Sequence, residues 1–418
     1  MDRQLLQGLA SQTIDWTSRA WPTSAHGVPG NRLREANLNI LDGHFSYPVM
    51  VIKESALHNN VKWMSEFCRH HDVELAPHAK TAMAPQLVAA QLDAGAWGIT
   101  VATIPQAQIF RRFGIDRMIV ANQIVTASDL QWLVNEARAY PRSTMLTLVD
   151  SVEQVHRSDI LVGAANADTL KLPVLLEVGY HQGRAGAQEL GSALDVARAV
   201  AASRHFELVG LEGFEGVMPG DGRLHQGPAI ETYLNQVKEI HAALRSEDLL
   251  PSPSLVSFGG SAYFDVVVAQ FDRTWRRDVD SAVILRSGCY VSHDDGMYAR
   301  LAPATGLRAA LEVIATVTSC PERGRVIAGF GKRDVPHDAG LPTVKAISRD
   351  GVALDVTDVL VEGLNDHHAF LSDPHGTLRV GDLLHVGISH PCMAFDKWTL
   401  IPVVDESYAV TGAVRTFF

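Results

Sequence analysis

The sequence predicts an α/β fold: a (β/α)8, TIM-like barrel followed by a second, mostly β C-terminal domain. Two observations carry this. Between residues 48 and 260, eight short β-rich runs alternate with helix-length segments, the pattern of a parallel sheet covered by helices. Beyond about residue 280 β-like runs continue with no long helical pattern between them. Eight strands in about 215 residues suit a closed barrel better than a six-stranded nucleotide-binding sheet.

Taken in order, residues 1–35 read as an irregular arm with a short helix over 3–13. The barrel is expected over 36–300 and the β-rich domain over 301–418, with ANLNILDGH (36–44) returning to join the latter. The barrel strands expected are PVMVIK (48–53), VELAPHA (73–79), GITVAT (98–103), MIVANQ (118–123), MLTLVD (145–150), PVLLEV (173–178), FELVGLEGF (206–214) and SLVSFGG (254–260). Later β-like runs are AVILRSGCY (282–290), LEVIATVTS (311–319), GRVIAG (324–329), 352–360 and LLHVGI (383–388).

The composition excludes several classes. With 46% hydrophobic and 20% charged residues, the 418-residue chain is far from disordered or fibrous extremes. Its formal charge of -11 gives no general attraction to nucleic acid or anionic membranes. No run approaches 18 apolar residues, and the first 25 lack a continuous hydrophobic region, so neither a membrane span nor a signal peptide is expected. Four cysteines do not make a disulfide scaffold in so long a chain, and a reducing, cytoplasmic setting is expected.

Three motifs carry chemistry. PHAK (77–80) ends a barrel strand, and barrel active sites gather at those ends. Lys80 there is suited to a Schiff base with a carbonyl group or pyridoxal phosphate; a solvated surface lysine is the bland alternative. SFGGSAYF (257–264) has adjacent glycines whose amides can converge on an anion; a tight turn explains them equally well. In HPC (390–392), His390 and Cys392 lie two apart. In an extended segment they face one side, and both donors suit zinc; a buried core pair is the alternative. His367 and His368 lie about 22 residues upstream and are candidate further ligands.

Together and in order, these motifs resemble the pyridoxal-phosphate enzymes with an alanine-racemase-like barrel that act on D-β-hydroxy amino acids, the D-threonine aldolase and D-serine dehydratase family. APHAKT resembles the family's lysine motif, with alanine in place of arginine. QLDAGAWGITVAT (91–103), EVGYHQGRAG (177–186), SFGGSAYFD (257–265), LRSGCYVSHD (285–294), AGFGKRD (328–334), DHHAFL (366–371) and HPC resemble its later segments, from about residue 36 to the end. The resemblance implies Lys80 as Schiff-base lysine and His78 beside it as a proton relay or cofactor contact. It implies Arg184 against the cofactor ring, and a phosphate site at Ser257, Gly259, Gly260 and Ser261, with Tyr263 and Tyr290 nearby. His390 and Cys392 would hold zinc, or another divalent ion.

Asn122, Gln123, His181 and His368 are candidate substrate contacts, and Lys332 and Arg333 candidate anion holders. Of the cysteines only Cys392 is given a role; the others are read as packing thiols. The family's aspartate in the arginine segment is Gly179 here, a neighbouring glycine is His181, and the tyrosine after the next strand is Phe214. These departures bear on the substrate and on the partner of the pyridine ring.

The function implied is a dehydratase giving a 2-keto acid and ammonia. Cys392 favours this, because aldolases of the family carry aspartate there. Aldol cleavage to glycine and an aldehyde, racemisation, and a non-catalytic cofactor-binding role are the alternatives. A homodimer is implied by the resemblance, and the partner expected otherwise is a small D-amino acid.

Overall fold

The computed structural model describes residues 1–165, 170–216, 218, 223–301 and 306–418. Its contacts divide the chain into two compact units. One holds Met1, Ser65–Lys80 and Gln91–Gly288; the other holds Asp2–Met64, Thr81–Ala90 and Cys289–Phe418.

The first strand, β1 (Val49–Lys53), belongs to the second unit. Eight strands then build the barrel of the first: β2 (Glu74–Leu75), β3 (Ile99–Val101), β4 (Arg117–Gln123), β5 (Thr144–Val149), β6 (Leu172–Glu177), β7 (Phe206–Glu212), β8 (Ser254–Phe258) and β9 (Ser281–Leu285). Each pairs in parallel with the next, and β9 returns to β2. A bridge between His78 and Thr100, with Thr100 N–H donating to Pro77 O at 2.9 Å, brings β2 to β3 and closes the ring. Strands β5 and β6 are almost continuously buried, as parallel strands covered on both faces must be. Ala76, Ile119, Leu146, Leu148, Leu175 and Ile284 form a core inside this unit.

The helices start where the sequence supplies caps. The hydroxyls of Thr103, Thr126 and Ser151 accept from the amides of Gln106, Asp129 and Gln154, satisfying donors that a helix start leaves unpaired. Gly98 and Gly210 stand where a Cβ would overlap the carbonyls of Arg117 and Leu255 on the neighbouring strands.

The strand count is eight, but its register along the sequence differs from expectation. PVMVIK is not the first barrel strand. As β1 it pairs antiparallel with β10 (Leu311–Glu322), Val49 opposite Ile314, and the later run 282–290 supplies the last barrel strand instead. A fully buried apolar strand reads alike in either sheet, so composition could not assign it. PHAK therefore follows the first barrel strand and SFGG the seventh.

The second unit continues with β11 (Arg325–Ala328), β12 (Thr343–Arg349), β13 (Val352–Leu354), β14 (Leu360–Leu364), β15 (Ala369–Ser372), β16 (Leu383–Gly387), β17 (Leu400–Val404) and β18 (Val410–Arg415). The main path runs β13-β12-β16-β10-β1-β17-β18. All its pairings are antiparallel except β1 with β17. The N-terminal arm is irregular in backbone yet supplies core. Ile14, Trp21, Leu33, Ile40 and Phe45 pack with Val51, Ile314 and Leu400, and Trp21 Nε1–H donates to Leu400 O at 3.3 Å.

Candidate active site

The C-terminal ends of the barrel strands converge on a cavity of about 170 Å³ lined by His78, Lys80, Ala102, Ala121, Asn122, Arg184, Phe214, Gly260 and Arg286. His78 and Lys80 follow β2, Arg184 follows β6, and Arg286 directly follows β9. Gly288 lets the last turn close on the first: a Cβ there would overlap the His78 carbonyl. His78 Nδ1 is buried without a hydrogen-bond partner. Burial, then the charges of Lys80, Arg286 and Arg184, hold its ring well below the usual imidazole range, so the histidine is neutral at physiological pH.

Three cations thus face a small space, and two have carboxylate partners. Arg184 lies 3.5 Å from Glu177 Oε1 and 5.5 Å from the centre of the Phe214 ring. Arg286, only 6% exposed, donates to Gly213 O at 2.5 Å and stands 2.9 Å from Glu212 Oε2. That carboxylate makes no aligned hydrogen bond despite the short approach. Burial pushes Glu212 up to about 7; Arg286 opposes the rise and Glu177 adds to it. Arg286 was not anticipated: an arginine after a strand carries no motif until the barrel is closed around it.

The anion nest expected at the glycine pair is present. Gly259 is at φ +88°, and the amides of Gly259 and Gly260 donate to Glu215 Oε2 and Oε1 at 3.4 and 2.5 Å. The group they hold is the chain's own buried carboxyl: burial raises its proton affinity and these amides oppose the rise. Ser257 is spent within the sheet, its hydroxyl donating to Ile284 O at 3.2 Å. Ser261 Oγ accepts from Gly288 N–H at 3.2 Å, and the buried Tyr263 hydroxyl donates to Gln226.

Of the substrate candidates, Asn122 lines the cavity. Gln123 does not; it donates to Asp150 at 3.2 Å and to Glu177. His181 is exposed and is not among the lining residues. Tyr290 and His368 belong to the other unit. Tyr290 is buried in the turn Cys289–Val291, and His368 lines an open cleft with Lys332, Asn365, Asp366 and His367. Arg333 is exposed, 4.0 Å from Asp366.

His390 and Cys392 lie in the second unit, but not on one extended segment. His390 is extended (φ -161°, ψ 131°) and caps a 3-10 turn over Pro391–Met393. Proline at the first turn position starts such a turn readily, so alternation of faces does not apply. The turn instead brings Cys392 to Cys289, read from sequence as a packing thiol. Their sulfurs are 3.4 Å apart. The Thr81 hydroxyl bridges both, at 3.5 Å from Cys392 and 3.6 Å from Cys289. Hydrogen bonds from Cys392, and then from Tyr298 and Thr81, pull the Cys289 thiol down against its burial. The Tyr298 ring lies 5.5 Å from that of His390, whose Nδ1 is buried without a partner. Among the described residues no three His, Cys, Asp or Glu side chains are assembled as a ready metal cluster.

The profile described as "Alanine racemase, N-terminal domain" matches residues 52–275, and that described as "Putative serine dehydratase domain" matches 310–404. The chain belongs to the D-threonine aldolase and D-serine dehydratase family with the alanine-racemase-like barrel. Within it, 3-hydroxy-D-aspartate aldolase from Paracoccus denitrificans is 25% identical over 354 residues, 82% of this chain and 84% of that protein. D-threo-3-hydroxyaspartate dehydratase from a Delftia species is 22% identical over 385 residues, 88% of this chain and 96% of that one. The crystal structure of D-threonine aldolase from Filomicrobium marinum superimposes with a TM-score of 0.73 at 22% identity, covering 89% of this chain and 94% of that one. The family's barrel and separate antiparallel sheet are those described above. Among the described residues no helix is long and apolar enough to cross a membrane.

Proposed function

We propose that this chain is a pyridoxal-phosphate-dependent lyase that converts a D-β-hydroxy amino acid to a 2-keto acid and ammonia, the water lost in the elimination being taken up again when the released imine hydrolyses. A divalent ion, zinc by the donor chemistry, would be held by His390 and Cys392. The observation that carries the reading is the placement of the Lys80 amine beside His78, Arg184 and Arg286 in one cavity at the barrel mouth. A phosphorylated aldehyde fits such a set: a primary amine for its carbonyl, guanidinium groups for its charge, and an unpartnered buried imidazole nitrogen. The amides of Gly259 and Gly260, which meet carboxyl oxygens of Glu215, are the kind of donors a phosphate oxygen takes. For the ion, the fit rests on the soft thiol of Cys392 and the orphaned Nδ1 of His390.

Bound there, pyridoxal phosphate would withdraw electrons from Cα of an amino acid, and zinc would polarise a β-oxygen. The chain's own residues do the rest. Lys80 Nζ would hold the aldehyde and, when displaced, take the α proton. Burial and then three neighbouring cations keep His78 neutral, so beside Lys80 it would serve as a hydrogen-bond partner of the cofactor and hold a proton only in passing. Arg184, permanently protonated, would face the pyridine ring and disfavour protonation of its nitrogen, which leaves a moderate electron sink and makes help at the leaving hydroxyl valuable. A second reading, aldol cleavage to glycine and an aldehyde, is favoured by the names of two relatives above, which are aldolases. We infer a cytoplasmic homodimer as the working form.

The test is a product assay on purified, metal-replete protein with D-serine, D-threonine and D-threo-3-hydroxyaspartate. Equal amounts of 2-keto acid and ammonia, lost with a chelator and in Cys392→Ala, support elimination. Glycine plus aldehyde transfers the assignment to the aldolase reading. Absence of both products, with the cofactor still bound in wild type and lost in Lys80→Ala, would leave a non-catalytic binding role.

A further inference from the structure

We propose that Cys289 is a ligand of the same metal ion as Cys392, so that this chain grips its ion with two thiolates. The inference rests on the reading that His390 and Cys392 form a metal site, and goes beyond it by adding a donor. Cys289 and Cys392 lie 103 positions apart in sequence, and two separate 3-10 turns bring their sulfurs to 3.4 Å. Two thiolates at about 2.3 Å on a tetrahedral ion stand roughly 3.7 Å apart, so the pair needs only a small adjustment to share one. Both sulfurs also lie within reach of the single Thr81 hydroxyl, which places them around one point instead of back to back. The Tyr298 ring lies 5.5 Å from that of His390, tilted by 32°, and Tyr298 hydrogen-bonds Cys289. With His390, whose Nδ1 is buried without a partner, the donor set would be two sulfurs and one nitrogen, leaving a position open for an oxygen ligand, as catalytic zinc sites require.

Two consequences follow from the chemistry. Thiolate pairs select zinc over magnesium or manganese. Two thiolates also neutralise the charge of the ion, so its Lewis acidity is lower than with one.

The test is X-ray absorption on the full-length, zinc-loaded, cofactor-replete protein under reductant, alongside cobalt-substituted samples of wild type, Cys289→Ser and Cys392→Ser. We expect two sulfur scatterers in unmodified protein. The thiolate-to-cobalt charge-transfer intensity should fall by about half in each single variant, and zinc affinity by at least about tenfold in Cys289→Ser. One sulfur scatterer, lost in Cys392→Ser and unaffected in Cys289→Ser, would overturn the second thiolate while leaving the His390–Cys392 site standing. No sulfur scatterer at all would overturn both. Intact-mass detection of a Cys289–Cys392 disulfide in the zinc-loaded protein would also overturn the proposal, since an oxidised pair cannot ligate. The absorption measurement on wild type needs no variant to fold.

Discussion

Lys80 and Arg286 show two ways in which a residue comes to line the barrel-mouth cavity. Lys80 was legible because PHAKT is a motif; Arg286 was not, because its role exists only when the last barrel strand sits beside the first. Lys80→Ala is expected to abolish covalent attachment of pyridoxal phosphate and to lower turnover by at least ~10³-fold. The check is the visible absorption of the purified protein together with the product assay. A cofactor that remains covalently attached in this variant would move the attachment to another lysine. Arg286→Ala should act through stability, because it strands Glu212 in a fully buried position. Breaking a buried pair in this way costs about 3–5 kcal/mol, readable as a shift in denaturation midpoint. A midpoint unchanged from wild type would mean that water, not Arg286, satisfies Glu212.

At the scale of elements, the alternation of β-rich and helical runs carried most of the barrel, and three of its β-to-α turns end in a Ser or Thr whose hydroxyl caps the helix. The error fell on β1, a buried apolar strand with no sequence mark of the sheet it joins. The thiol pair was half legible: HPC is visible as a motif, whereas Cys289 is joined to it only by the packing of two turns. Gly210 offers a test of how tightly the barrel strands approach. Any Cβ there overlaps the backbone of Leu255 and its side chain, so neither a rotamer change nor a small side-chain shift relieves it. Gly210→Ala is expected to destabilise the barrel by about 1–3 kcal/mol, the usual range for overpacking. Ser151→Ala, which removes a cap, should cost about 1 kcal/mol. Urea denaturation of the pair checks the order; equal losses would show that the β7–β8 contact can spread.

At the scale of the whole molecule, each unit buries a glutamate whose proton affinity is shifted, and the shifts have opposite signs. In the barrel, burial raises Glu212 to about 7 from 4.5. The native state then binds a proton between those values that the unfolded chain has released. This contribution is full below 4.5 and is lost as pH rises through about 7, with an upper size of about 3 kcal/mol. In the β unit Glu312 is also buried, which alone would raise it. Hydrogen bonds from His385 and Tyr408 and the charge of Lys53, 3.1 Å away, outweigh burial and hold it at about 2. There the unfolded chain binds the extra proton, so the contribution is present above 4.5 and is lost as pH falls towards 2, again by about 3 kcal/mol at most. Hydrogen exchange read peptide by peptide should therefore show barrel protection declining between pH 4.5 and 7. Around the strand that carries Glu312, protection should decline below 4.5, distinct from the loss between 3.8 and about 7 that the buried Asp294 adds in the same unit. Glu212→Gln should flatten the first slope and Glu312→Gln the second, each leaving the other untouched. If Glu212→Gln leaves the barrel slope in place, the proton belongs to the buried Glu215, which burial also raises, and Glu212 is ionised throughout. The barrel mouth would then enter catalysis with one more negative charge than the raised affinity implies.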